Sequence, residues 1–373
     1  MREALQQAKR IVVKVGTSTL THENGRLNIL RIESLVKQLA DLANQGKEVI
    51  LVSSGAVGAG LAPLGLQEKP KDIATKQAAA AVGQGILLHM YEKLFGEYGH
   101  TVGQVLLTRE DSTKRSRYVN LRNTLLSLLT LGVIPIINEN DVVAVDELKI
   151  GDNDTLSASV ASIIEADMLI ILSDIEGLYT SNPQTDPTAT LIEEVDQITP
   201  HIYEISGGAG SSRGTGGMYT KIEAANIAVN SGVHMVIALG AAPLVISRVA
   251  SGEKVGTHFV PRTTKPHMKK RWMAFGSRLQ GTIIVDEGCA HALMTQGSSL
   301  LAVGITAVEG EFDEGETVSI VFEGEEIGRG MVNYSSYDLD RIKGHSSRDI
   351  AELLQIGSTY EEVIHRDNLV MLR

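Results

Sequence analysis

The sequence predicts an α/β protein, with a mostly parallel sheet covered by helices on both faces and a separate small β-rich domain after it. Three observations predict this. Strand-like and helix-like stretches alternate from about residue 10 to residue 239. After about residue 250 the pattern changes to a basic, proline-containing stretch (Pro261 to Arg271) and then short strand-like runs between turn signals. The length, 373 residues, exceeds one ordinary domain and suggests two.

The elements follow in order. Arg10-Ile11-Val12-Val13-Lys14-Val15-Gly16 reads as a buried strand closed by a glycine turn. Ile32, Leu35, Val36, Leu39 and Leu42 then recur at helical spacing. Val49-Ile50-Leu51-Val52 is the next strand, followed by Ser53-Ser54-Gly55-Ala56. Further strands are expected around 102–107, 133–137, 168–172 and 234–239, and helices over 116–131, 154–165 and 217–231. The last region offers strand-like runs at 281–285, 317–321 and 326–332. The expected division is an α/β domain over 1–255, a linker over 256–279, a β-rich domain over 280–356 and a C-terminal segment over 357–373.

Composition narrows the function classes. Hydrophobic residues make up 43% of the chain, enough for a sizeable core. No apolar run approaches the ~18 residues of a membrane span. The start, Met1-Arg2-Glu3-Ala4-Leu5-Gln6-Gln7, lacks the apolar core of a signal peptide. Cys289 is the single cysteine, which excludes an internal disulfide and fits a reducing compartment; without a His-Asp context it reads as a small core residue. The ten histidines show no metal-ligand spacing. A cytoplasmic protein without a structural metal is expected. Charge divides with the domains: residues 281–373 hold 17 acidic and 6 basic side chains, whereas residues 1–280 hold 28 of each.

The chemistry concentrates in the α/β half. Asn138-Glu139-Asn140-Asp141 and Gly151-Asp152-Asn153-Asp154 together carry four carboxylates and three amides, with only Lys149 between them to neutralise the acids. Such a cluster is either a solvated loop or a prepared polar site. An apolar strand leads in and a helix of small residues leads out, which is where open α/β sheets place ligands. The glycine-rich run Gly207 to Lys221 is not a Walker A motif and not a dinucleotide fingerprint. It offers free backbone N–H groups, a helix start and a lysine one turn in, the makings of an anion site, although a surface loop fits it as well. Lys14 lies inside a strand, where it either snorkels to the surface or serves a site. Two lysines, several glycine turns and clustered acids are the parts that phosphoryl transfer needs.

At these residues the chain resembles the amino-acid kinase family. The resemblance rests on Lys14-Val15-Gly16-Thr17-Ser18, Ser53-Ser54-Gly55-Ala56, Ile137 to Asp141, Gly151 to Asp154, Ser173-Asp174 with Gly177-Leu178-Tyr179, and Gly214 to Lys221. All six in order, followed by a tail over about 280–356 that is similar to a PUA domain, resemble the branch of the family that phosphorylates glutamate. Ser53 stands where some members have threonine. The resemblance implies a three-layer α/β/α fold and ATP-dependent phosphorylation of the γ-carboxylate of L-glutamate, the first step toward proline, with feedback by proline. It implies that Lys14 and Lys221 contact the transferring phosphoryl group and that Asp154 orients them. Ser54, Asp141 and Asn153 would hold glutamate. Ser173, Asp174, Thr215, Gly216, Gly217, Met218, Tyr219, Thr220 and Lys221, with Lys14, would bind the nucleotide. Mg²⁺ would arrive mainly on ATP, with no metal ligand assigned on the protein, and the assembly would be a dimer or tetramer with no membrane partner.

Two other readings compete. Another member, such as an acetylglutamate kinase, would keep the sites but lack the PUA-like tail. An RNA-binding protein built around that tail would carry a basic stripe. Here the tail is acidic, with Glu309, Glu311, Asp313, Glu314, Glu316, Glu323, Glu325 and Glu326 crowded together. RNA affinity begins with neutralisation of phosphates by Lys and Arg, and a field of the opposite sign acts over a Debye length of about 8 Å at physiological salt. The expected role is regulation or assembly. A filter-binding titration of the chain with tRNA should therefore show no salt-sensitive, submicromolar affinity, and its appearance would refute this view.

Overall fold

The computed structural model describes residues 2–22, 26–68, 70–108, 111, 115–143, 152–207, 217–261, 279–355 and 360–372. The chain divides into two compact units, Met1–Thr263 and Thr264–Arg373.

Among the described residues the first unit is built on eight strands: β1 (Arg10–Val15), β2 (Glu48–Ser53), β3 (Val102–Leu107), β4 (Ile134–Glu139), β5 (Met168–Ser173), β6 (Glu194–Val195), β7 (His234–Leu239) and β8 (Thr257–Phe259). They lie in the order β3-β4-β2-β1-β5-β7-β8-β6. Every pairing is parallel except β7 with β8. The chain runs outward from β1 through β2 and returns on the other side of β1 through β5. That reversal opens a crevice at the carboxyl ends of the central strands, the place where such sheets bind ligands.

The period of a strand sorts its side chains between two cores. Ile11, Val13 and Val15 of β1 join one cluster with Leu35, Leu39, Leu87, Phe95 and Ile246, from the helices Ile29–Asn44, Ile73–Glu97 and Val245–Ala250. Val12 faces the other side, with Leu125, Leu156, Val160, Ile222 and Ala225 of the helices Arg115–Thr130, Asn153–Ile163 and Met218–Asn230. The result is the expected three-layer arrangement. Strand and helix positions match the sequence reading to within a residue or two, with β4 running on through Asn138 and Glu139.

Two helices lie in a stretch that the sequence pattern did not assign: Ala56–Leu61 and Ile73–Glu97. They cross at glycines. A Cβ on Gly60 would lie 2.0 Å from the carbonyl oxygen of Ala79, and one on Gly83 would lie 1.8 Å from that of Ala56. No side chain fits either gap, so the two backbones touch directly. This contact fixes the turn Ser53-Ser54-Gly55, in which Gly55 adopts a φ of 95° that favours glycine.

The second unit has a five-stranded sheet in the order β10-β9-β11-β12-β13, where β9 is Gly281–Val285, β10 Ile305–Gly310, β11 Thr317–Phe322, β12 Glu325–Met331 and β13 Leu369–Met371. The three strand-like runs of the sequence are β9, β11 and β12. Helices Glu287–Gln296, Ser336–Ile342 and Ile350–Leu354 complete it, around Ile283, Val318, Ile320, Leu339 and Ile342. Two of the strands fall outside the stretches read as structured: Thr257–Phe259 lies within the expected linker and Leu369–Met371 within the expected C-terminal segment. Cys289 is half-buried beside Gly304, and burial with nearby Asp286 pushes its thiol up to about 11.

The glycine contact carries a prediction. Gly83→Ala forces backbone apart from backbone, an overpacking change that costs about 1–3 kcal/mol. A urea denaturation midpoint equal to that of the wild type would show that the two helices do not bear on each other as described.

Candidate active site

Alternation along β1 puts Lys14 on the face of Val12, one residue before the strand ends. Across that face stand the first turns of the helices Asn153–Ile163 and Met218–Asn230. Lys14 and Lys221 are each 5% exposed and Asp154 is 0% exposed. Lys14 Nζ lies 2.5 Å from Asp154 Oδ1, and Lys221 Nζ lies 3.1 Å from Oδ2. One carboxylate thus bridges two ammonium groups. Burial pushes the Asp154 carboxyl up, but the two lysines outweigh it and hold the group below the ordinary value of 3.8. A carboxylate near a helix N-terminus is further favoured by the helix dipole.

Thr220 ties the two helix starts together. Its hydroxyl lies 3.0 Å from Asp152 Oδ2, 3.3 Å from Asp154 Oδ2 and 2.8 Å from the carbonyl oxygen of Gly217. Asp152 is the N-cap of its own helix. Gly217 is the N-cap of the second, and having no side chain it leaves the first N–H groups of that helix uncapped by it. Backbone donors at a helix start, beside two lysines, form an anion-binding surface.

A second, neutral constellation adjoins the charged one. Asn153 Nδ2 donates to Ser54 Oγ at 2.7 Å and to Asn138 Oδ1 at 3.0 Å. Asn138 Nδ2 donates to Gln84 Oε1 at 2.8 Å. Ser53 Oγ meets the Tyr91 hydroxyl at 2.8 Å beneath the same turn, where burial pushes the tyrosine far above its usual range. The turn that carries Ser54 is thereby anchored from below.

The structure brings Lys14, Lys221 and Asp154 together, and Ser54 with Asn153. Asp141 lies in the turn just after β4, at the same edge of the sheet. Ser173 ends β5 and donates to Asp174 Oδ1 at 3.0 Å. Gly217, Met218, Tyr219 and Thr220 form the start of their helix. Thr215, Gly216 and Gly151 lie outside the described residues. Gly177 answers a packing need, because its Cβ would lie 2.5 Å from Thr257 Oγ1. The sequence reading passed over Asn138, Asp152 and Gln84 as individual residues. The first two stood inside the polar clusters already singled out; Gln84, in an alanine- and glycine-rich helix, gave no signal. Among the described residues there is no group of three or more His, Cys, Asp or Glu able to hold a metal ion. No described helix is long and apolar enough to cross a membrane.

Comparison with known proteins gives the family. Residues 9–239 match the model of the amino acid kinase family, and residues 281–354 match that of the PUA domain. The chain is 56% identical to the glutamate 5-kinase of Caldanaerobacter subterraneus over 97% of its own length and 98% of that protein. It is 54% identical to the glutamate 5-kinase of Moorella thermoacetica, covering 100% of this chain and 98% of the relative. The glutamate 5-kinase of Carboxydothermus hydrogenoformans is 50% identical over the full length of both.

The bridging carboxylate makes an acid-stability prediction. Because the folded state holds Asp154 below 3.8, its contribution is complete above that value and is lost as pH falls through the lower, folded value. Asp154→Asn leaves two buried ammonium groups without their shared anion and should cost about 3–5 kcal/mol at neutral pH. The gap between wild type and variant should narrow in strong acid. Urea titrations at pH 7 and pH 3 measure it, and a gap that does not change with pH would refute the assignment.

Proposed function

The chain belongs to the amino acid kinase family, and from that premise we propose that it transfers the γ-phosphoryl group of ATP to the γ-carboxylate of L-glutamate, as a glutamate 5-kinase. The observation that carries the reading is the Lys14–Asp154–Lys221 bridge at the carboxyl edge of the sheet, set beside a neutral hydrogen-bonding surface. Relatives of 50–56% identity over nearly the whole chain bear the same activity in their names.

The chemistry suits the groups. A carboxylate acceptor is already ionised at neutral pH, so it needs no general base. Its oxygen attacks the γ-phosphorus in line, a P–O bond forms, and the bond to the bridging oxygen breaks. ADP leaves with that electron pair. What remains for the protein is positioning and electrostatic stabilisation. Lys14 and Lys221 meet the equatorial oxygens of the phosphoryl group in flight, and Asp154 fixes their direction. With both oxygens engaged by lysines, Asp154 is unsuited to a metal. Mg²⁺ is therefore read as arriving with ATP, whose phosphate charge it would neutralise, with no protein ligand assigned to it.

The neutral half is assigned to the acceptor: Ser54 and Asn153 to a carboxylate, Asp141 to the ammonium. Ser173, Asp174 and the Thr215–Lys221 segment are assigned to the nucleotide. In cells the reaction is the first step of proline biosynthesis, with proline competing for an overlapping glutamate site. Cytoplasmic location, a dimer or tetramer, and a regulatory or assembly role for the acidic PUA domain complete the proposal.

Lys14→Met or Lys221→Met should lower kcat by about 10²–10³-fold, the effect of removing one preorganised contact to developing charge, with the fold retained. Near-normal turnover in either variant would remove that lysine from the mechanism. Asp141→Ala and Asn153→Ala should instead raise the KM for glutamate more than that for ATP, and should blunt inhibition by proline. Initial-rate kinetics with each substrate varied in turn distinguish these outcomes; a selective loss of ATP affinity would reverse the two halves of the site.

A further inference from the structure

We infer that Gln84 is a positioning residue for the acceptor carboxylate, acting through Asn138 and Asn153 on the hydroxyl of Ser54; the inference rests on the reading of this site as a carboxylate kinase. The contacts run in one sense. Gln84 Oε1 accepts from Asn138 Nδ2 at 2.8 Å, Asn138 Oδ1 accepts from Asn153 Nδ2 at 3.0 Å, and the same Nδ2 donates to Ser54 Oγ at 2.7 Å. Each amide has one oxygen that only accepts and one nitrogen that only donates. Turning Asn138 over would set oxygen against oxygen on one side and nitrogen against nitrogen on the other, and turning either of its neighbours would produce one of these clashes.

Asn138 is 2% exposed, so water cannot easily repair such a reversal. That sense requires Gln84, half-buried at the far end, to present its oxygen to Asn138. Its effect appears at Ser54. Because Asn153 donates to Oγ, the hydroxyl acts there as an acceptor, and its own proton is left for another partner. A hydroxyl presented in this way favours an anionic oxygen, here a carboxylate of the amino-acid substrate.

The backbone supports the same assignment. Gly83, the neighbour of Gln84, is the residue whose Cβ would lie 1.8 Å from the carbonyl oxygen of Ala56. Ala56 follows Ser54-Gly55 directly. Gln84 is therefore held in register with the turn that carries Ser54, and the two ends of the chain cannot drift independently.

The test uses the full-length chain and initial-rate kinetics. Gln84→Met keeps the length of the side chain and a helix-forming residue but removes the acceptor oxygen. It should raise the KM for glutamate about tenfold, the effect of one mispointed hydrogen bond, while kcat and the KM for ATP stay within about twofold. Asn138→Ala should raise the glutamate KM as well. The two changes combined should be no worse than Asn138→Ala alone, because residues that act in series are not additive. Gln84→Ala serves in the same cycle if the methionine variant does not fold. Additive effects, or equal changes in both KM values, would reduce Gln84 to a general structural role and overturn the inference. An active wild type with an unchanged Gln84→Met variant overturns this inference alone. A wild type that does not phosphorylate glutamate overturns the functional reading beneath it as well.

Discussion

One carboxylate shared by two lysines is the interaction around which the first unit is arranged. Each partner comes from a different element: Lys14 from the central strand, Asp154 from the start of one helix and Lys221 from the first turn of another. Burying three charged groups costs several kcal/mol per ion before any attraction is counted. The fold offsets this with geometry. Parallel strands bring their carboxyl ends to one edge, the dipole at the start of the Asn153–Ile163 helix favours the anion, and Thr220 braces the acid from the side. Lys221, in contrast, stands at the start of a helix, where a cation is disfavoured by the dipole. Its shared contact with Asp154 is what makes that position tenable.

The site then separates by chemistry into two parts. On one side are ammonium groups and backbone donors, suited to phosphoryl oxygens. On the other is a run of amides and a hydroxyl, neutral and directional, suited to recognising an acceptor without repelling the incoming phosphates. Beyond Asp141, which is assigned to the acceptor's ammonium, a further carboxylate in that part would oppose both substrates. An amide presents the same shape without the charge, which explains why Asn138, Asn153 and Gln84 line it.

Much of this was legible in the sequence because the signals were local. Lys14 is a charge inside an apolar strand, and Asp154 lies in a polar cluster that opens a helix of small residues. Both are anomalies against a strong periodic background, and the alternation of strand and helix said which edge of the sheet they would share. What the sequence did not disclose was long-range. Gln84 meets Asn138 across 54 positions of chain, from a helix whose alanines and glycines show no marked apolar face. In a sequence alone, glycines inside a helix such as Gly60 and Gly83 count only as weakening it. Only the crossing of two backbones shows why a side chain is forbidden there.

Under the proposed assignment of Ser54 to the acceptor, that crossing also makes this end of the site a gauge of length. With Ala56–Leu61 locked to Ile73–Glu97 by direct backbone contact, the Ser54 turn is held in place against the longer helix. The position of the hydroxyl is then set by backbone contact, while the ammonium pair is held by its shared contact with Asp154. A homologous acceptor one methylene shorter or longer would meet the phosphoryl group out of line, so discrimination between aspartate and glutamate would be metered by two missing β-carbons far from either charge.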